Sequence, residues 1–188
     1  MSTFIIQLLL NASPVIFAAI FHMVVVKKGW FKFLTYPLDH FKTYHKKRIF
    51  GVNKTYRGLV VMLIASLFFS YLYFLLIQQY QWLQQYNLLY ISNFSFVFYG
   101  FLFGIGYIVG ELPNSFYKRQ IDVKAGKSNS ILMIIMDQLD SVFVIMMLLV
   151  AFSNFSWKHF LFGIFFYGFI HIIINYILYL IGLRKEPF

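Results

Sequence analysis

Five stretches of this chain stay apolar for longer than a soluble fold can use: roughly residues 4–26, 59–78, 93–111, 130–152 and 159–182. Each reaches the length of about 20 residues that a helix needs to cross a hydrocarbon core about 30 Å thick. No water satisfies the backbone inside such a core, which leaves helices or a closed barrel. The alternation of about ten residues that marks barrel strands is missing. The sequence therefore predicts an all-α, polytopic membrane protein: a bundle of about five transmembrane helices, one domain over residues 1–188. Composition agrees, with 61% hydrophobic and only 12% charged residues, too little polar material for the wet surface of a soluble domain. There is no cysteine, which excludes disulfides, a thiolate nucleophile and a zinc–cysteine cluster. No basic residue precedes the first stretch and no small-residue cleavage site ends it, which argues against a cleaved signal peptide.

Lysine and arginine set the expected orientation. Of the 16 in the chain, all but Lys158 lie between the first and second stretches, between the third and fourth, or in the C-terminal tail. Five crossings put those regions on one side, and the positive-inside rule makes that side cytoplasmic. The N-terminus is expected outside and the C-terminus inside, in the cell membrane. The uncharged loop "QQYQWLQQYN" (78–87) suits the opposite interface, with Tyr80, Trp82 and Tyr86 at head-group depth. The net charge of +10 thus belongs to one face, where it orients the chain and attracts anionic lipid heads. Basic residues tied to membrane ends do not point to nucleic acid. Gly100/Gly104 and Gly106/Gly110 have the small-xxx-small spacing of close helix packing, and no phosphate-cradling glycine motif occurs.

The acids are few: Asp39, Glu111, Asp122, Asp137, Asp140 and Glu186. Asp137 and Asp140 lie about 10–15 Å along the fourth stretch from Ser130 and share one helix face. A carboxylate at mid-membrane costs about 2.5–3.5 kcal/mol, so a pair calls for compensation. With Glu111 at the inner end of the third stretch, the three can meet in a cytoplasm-facing cavity. A hard divalent cation is the simplest compensation, and oxygen-only ligands favour Mg²⁺ or Mn²⁺ over zinc. The competing reading is structural: Asp140 bonded to an Asn or Ser on another helix, Asp137 paired with a lysine.

Cations cluster on the same side. "GVNKTYRG" (51–58) carries Lys54 and Arg57, and "NSFYKR" (114–119) carries Lys118 and Arg119 beside Asn114 and Ser115. Arginine grips phosphate oxygens bidentately and lysine adds a point charge. Metal and phosphate-binding cations together describe phosphoryl or nucleotidyl transfer. For Lys27, Lys28, Lys46, Lys47 and Arg48, simple anchoring is the better reading. "HIIIN" puts His171 and Asn175 on one face of the last stretch; His22, His40, His45 and His159 carry no readable signal. An ion transporter would also place acids within spans, but has no need of Arg–Lys clusters at two inner loops. A non-catalytic scaffold would leave both acids without purpose.

Taken in order, "PLD" (37–39), "FGVNKTYRG" (50–58), "GELPNSFYKR" (110–119), "DQLD" (137–140), "HIIIN" (171–175) and "YLIGLRKEP" (179–187) resemble the CDP-archaeol synthase family, relatives of the phosphatidate cytidylyltransferases. The longer signature of the latter is absent, with "KRQIDVKAGKSNS" and "MDQLD" in its place, which favours the shorter, archaeol-type branch. The resemblance implies a helix bundle with a cytoplasm-facing active site. It further implies that CTP and Mg²⁺ (or Mn²⁺) convert a lipid phosphate into a CDP-lipid and pyrophosphate, in membrane phospholipid biosynthesis. The metal ligands it implies are Glu111, Asp137 and Asp140. The residues implied at the triphosphate are Lys54, Arg57, Lys118 and Arg119, with Asn53 and Ser115 nearby. Asp137, Asp140, Lys118 and Arg119 are the implied catalytic set. Asp39, Asn114, His171 and Asn175 also fall in the matching stretches.

Overall fold

The computed structural model describes residues 2–92, 94–184 and 186. In chain order these form α1 (Ser2–Lys28), a 3-10 turn (Lys32–Leu34), strands β1 (Thr43–Tyr44) and β2 (Lys47–Arg48), then α2 (Tyr56–Gln79) and the one-turn α3 (Gln81–Gln84). They continue with α4 (Ser95–Gln120), α5 (Ile131–Phe152) and α6 (Trp157–Leu180). Five of these helices are long and apolar enough to cross a membrane, and the chain is a multi-pass membrane protein. Ile64, Phe68, Leu161 and Phe165 are exposed on their outer faces, as helix surfaces solvated by lipid should be.

Side-chain caps fix where the helices begin. Thr55 accepts from Gly58 N (3.3 Å) at the start of α2, and Ser130 accepts from Met133 N (3.3 Å) at the start of α5. Each satisfies an amide that the first turn leaves free. At α6 the side chain of His159 turns back to accept from Ser156 N (3.0 Å), and its ring stacks on Phe4 of α1 at 4.6 Å. One boundary departs from the hydropathy reading. The third stretch was expected to end at residue 111, yet α4 runs on to Gln120 with Pro113 inside it. Proline forfeits one backbone hydrogen bond, but the helix continues past it, and Asn114, Ser115 and Lys118 of the extension line a cavity. The apolar signal ends there; the backbone ladder does not.

The glycines set how closely α4 is approached. Gly100 and Gly104 press on Leu67 and Leu63 of α2, while Gly106 and Gly110 press on Ile145 and Ser141 of α5. A Cβ at Gly110 would stand 2.5 Å from Ser141 Cα, so the two backbones touch, as the small-xxx-small spacing predicts. That contact sits one residue from Asp140.

The end of the bundle that carries the described lysines and arginines other than Lys158 is the basic end. α1 packs on α2, α2 on α4, α4 on α5 and α5 on α6, forming an arc. Its two tips, α1 and α6, meet at the far end, where Tyr167 Oη donates to Leu8 O (2.8 Å) and Phe4 packs on His159 and Phe162. The apolar core is concentrated there, around Tyr73, Phe74, Tyr99, Phe103, Met146 and Leu149. Fully buried Asn11 ties α1 to α2 and to the α3–α4 connection: its Oδ1 accepts from Tyr73 Oη and Leu88 N, both at 2.9 Å. Towards the basic end the helices diverge around a cavity of about 920 Å³, which both α1 and α6 line.

Candidate active site

The roof of the cavity is the connection between α1 and α2, and Asp39 organises it. Its buried carboxylate accepts from the amides of Phe41 (3.1 Å), Phe50 (3.1 Å) and Gly51 (3.0 Å), and from Arg48 Nε (3.1 Å) and Nη2 (2.5 Å). Arg48 also lies over the Phe41 ring at 4.7 Å. A second pairing, Leu38 N to Lys54 O (2.8 Å) and Tyr56 N to Tyr36 O (3.1 Å), fixes Lys54 beside the start of α2. Lys47 docks the hairpin on α4 through Gln120 O and Asp122, both at 2.6 Å. Lys47 and Arg48 are thus structural cations.

Burial alone would raise the Asp39 pKa, but the Arg48 hydrogen bond and the amides of Gly51, Phe50 and Phe41 outweigh it and hold the carboxyl at about 2. A depressed pKa gives stability that is complete above the unfolded value and is lost as pH falls through the folded one. The roof is therefore expected to stay ordered down to about pH 4 and to loosen between there and pH 2. Asp39→Asn should loosen it at neutral pH. Trypsin cleavage after Lys42, Lys46, Lys47 or Arg48 should then accelerate at least about tenfold, as loss of a charged hydrogen-bond acceptor implies. Cleavage at the wild-type rate would contradict this role.

The floor is built from α2, α4 and α5. Lys54 Nζ donates to Glu111 Oε2 (2.5 Å). Lys118, buried in α4, donates to both oxygens of Asp137 (2.8 and 2.6 Å) and to Ser128 Oγ (2.8 Å), which itself donates to Asp137 Oδ2 (2.6 Å). Asn114 Nδ2 bridges the two intramembrane acids, donating to Asp137 Oδ1 (2.7 Å) and Asp140 Oδ2 (2.9 Å). Asp140 Oδ1 accepts from Ser141 N (2.6 Å). Both contacts of the structural reading are thus present, a lysine on Asp137 and an asparagine on Asp140. They engage the very groups that a substrate site would need.

Arg57 and Arg119 differ from the lysines. Arg57 reaches the Trp30 carbonyl, at 3.4 Å, and Arg119 lies across Gly51, where a Cβ would come within 3.0 Å of its Nη1. Gly51 has a φ of 90° and Gly126 one of 78°, a conformation that glycine adopts without strain. Neither arginine has an acid partner among the described residues. Asn53 abuts Gly126 of the α4–α5 connection, and Ser115 lines the cavity between them. His171 Nδ1 donates to Gln138 O (3.1 Å) and Asn175 Nδ2 to Gln138 Oε1 (2.7 Å). These two hold the rotation of α5 that presents Asp137 and Asp140.

Every candidate residue named from the sequence lines the one cavity, except Asp39, which sits above it. Sequence reasoning missed Ser128, Gln138, Arg184 and His22, which also line it. Gln138 had a signal, being a polar residue between two acids within a span; Ser128 and His22 had none.

Among the described residues no three His, Cys, Asp or Glu side chains form a metal-sized group. Glu111 is engaged by Lys54. The oxygens that do converge are those of Asp137 and Asp140, next to Asn114, whose Oδ1 is buried without a hydrogen-bond partner. Two carboxylates are hard donors of the kind Mg²⁺ and Ca²⁺ take; Asn114 turns its Nδ2 towards both, so its Oδ1 faces away from them.

Comparison with known proteins agrees with this cavity. Residues 3–188 match the family described as CarS-like: CDP-archaeol synthase. A CDP-archaeol synthase of Pyrobaculum islandicum is 29% identical over 155 residues, covering 82% of this chain and 83% of the relative. One of Methanococcoides burtonii is 29% identical over 170 residues, covering 80% of this chain and 89% of the relative. No solved structure matches the chain. With the match running through every segment that builds the cavity, the chain belongs to the CDP-archaeol synthase family and is, by that membership, a membrane nucleotidyltransferase.

Proposed function

We propose that this chain, acting as one domain, transfers the cytidylyl group of CTP to the phosphate of a membrane lipid of the archaetidic- or phosphatidic-acid type. The basic end faces the cytoplasm, where CTP is found. The observation that carries this reading is the acid pair joined by Asn114, deep in a cavity also lined by Lys54, Arg57, Lys118 and Arg119.

The lipid's phosphate monoester is itself a nucleophile at neutral pH, so no Ser–His pair is needed. One of its oxygens forms a bond to the α-phosphorus of CTP, the bond from that phosphorus to the β-phosphate bridging oxygen breaks, and pyrophosphate leaves with the electron pair. Arg57 and Arg119, without acid partners among the described residues, bind β- and γ-phosphate oxygens, and Asn53 and Ser115 add uncharged hydrogen bonds. Lys54 and Lys118 keep Glu111 and Asp137 from repelling the incoming anions. Asp137 and Asp140 would hold Mg²⁺, with Glu111 adding charge from beside Lys54. Bound there, the ion would neutralise phosphoryl charge as the leaving group departs. The apolar depth of the cavity, with Val15, Ile145 and Leu149, suits hydrocarbon tails.

Nucleotide binding tests the reading without turnover. CTP with Mg²⁺, at about 100 times its Kd, should raise the melting temperature of the purified protein by about 5 °C or more. GTP should raise it less. Equal shifts with both nucleotides, or none, would count against a cytidine site.

A further inference from the structure

Arg184 stands apart from the other cations of the cavity. α6 ends at Leu180, and Gly182, with a φ of 73°, turns the chain back so that Leu183 N (2.7 Å) and Arg184 N (3.1 Å) both donate to Leu178 O. This is a glycine-terminated helix end that reuses an otherwise free carbonyl. Two residues on, Glu186 pairs with Lys127 of the α4–α5 connection. The folded tail is thus pinned across the basic end, with Arg184 lining the cavity. Burial lowers its pKa, and Tyr107, Asp137 and Glu111 act in the opposite direction. Its guanidinium makes no hydrogen bond or ion pair among the described residues. Lys54, Lys118 and Lys127 are each bound to an acid.

The unpartnered arginines therefore fall into two places. Arg57 and Arg119 sit under the α1–α2 connection, beside Trp30 and Gly51. Arg184 sits on the α6 side. The proposed reaction brings two anions together, and each needs its own counter-charge. They also arrive by different routes. A nucleotide comes from water, past the two basic connections. A lipid comes from the bilayer, and among the described residues the arc packs helix on neighbouring helix from α1 to α6, with its two tips the least closely packed neighbours. Those tips are joined at the far end by the Tyr167–Leu8 hydrogen bond and the Phe4–His159 stack. Nearer the basic end they flank the cavity, Ala19 and His22 on one side and Ile174 and Leu178 on the other. A head group passing between them stands level with the basic end of α6.

We propose that Arg184 binds the phosphate monoester of the lipid substrate, holding it in the cavity that Asp137 and Asp140 also line while Arg57 and Arg119 hold the nucleotide. This assignment rests on the function proposed above. A planar guanidinium suits a phosphate monoester, because two parallel N–H groups meet two oxygens and leave the third free to attack.

The test uses the full-length protein in nanodiscs, with a short-chain dialkyl or diacyl glycerol phosphate as the probe. Two quantities are read on wild type, Arg184→Gln and Arg184→Lys: melting with the lipid phosphate alone, and KM for each substrate. Arg184→Gln should abolish stabilisation by the lipid phosphate and raise its KM roughly tenfold, with stabilisation by CTP unchanged. Arg184→Lys, keeping the charge but not the fork, should fall between. A rise in the KM for CTP with that for the lipid phosphate unchanged would assign Arg184 to the nucleotide and overturn the proposal. So would unchanged values for both substrates. If wild type melts higher with the lipid phosphate yet transfers nothing from CTP, the functional reading fails, and the Arg184→Gln melting curve still judges this residue.

Discussion

Asp140→Asn is expected to lower cytidylyl transfer by at least about a hundredfold, the scale of losing an electrostatic contact made in the transition state. The melting temperature should stay unchanged or rise. Among the described residues Asp140 has no ion-pair partner; its contacts are the Asn114 amide and Ser141. An asparagine keeps the shape and removes a buried charge, which is neutral or stabilising when the charge was uncompensated. Asp137→Asn should remove activity equally but at a cost in stability, because Lys118 would lose its acid. That cost is about 3 kcal/mol, the low end for a broken buried pair, since Asp137 keeps 29% of its side chain exposed while Lys118 keeps 8%. The measurement is transfer across a Mg²⁺ titration beside a melting curve for each variant. A purely structural pair predicts the reverse for Asp140→Asn: activity retained in any variant that melts normally.

The second large effect concerns the cations. Arg119→Ala should reduce kcat/KM for CTP about tenfold or more, the value of one charged hydrogen bond to phosphate, without lowering the melting temperature. Lys118→Ala should reduce both, because it strands Asp137. Lys27→Ala and Lys46→Ala, at exposed positions, should leave both within about twofold. Small and equal losses at all four sites would mean that the charges only orient the chain.

The spans and the residues of the cavity were legible in the sequence because both follow from local chemistry. Apolar length announces a crossing, and a polar residue within one announces an internal surface. Glycines four apart announced close helix packing, and the structure supplies the partners, α2 at Gly100 and Gly104 and α5 at Gly106 and Gly110. Pairings between distant residues were not legible. Lys54 with Glu111 and Lys118 with Asp137 are the product of helix packing, and they divide the cations of the cavity into lysines held by acids and arginines that have no acid partner among the described residues. Asp39 shows the same limit. Its place in "PLD" suggested the site, whereas five hydrogen bonds make it the organiser of the roof. The extension of α4 was hidden because hydropathy falls at Glu111 while helix geometry continues. Arg184 lay in a tail whose fold depends on Gly182 and on an ion pair with Lys127, neither of which a linear pattern announces.

The most direct test of the central claim is product formation in sealed membrane vesicles. Labelled CTP and Mg²⁺ are supplied outside, with a series of lipid phosphates in the bilayer, and extracted lipids are identified by mass. The account predicts a CDP-lipid in inside-out vesicles. In right-side-out vesicles the product should appear only after permeabilisation, and in neither case with Asp140→Asn. Absence of any cytidylyl-lipid from wild-type vesicles across the series, or equal product from the Asp140→Asn protein, would contradict it.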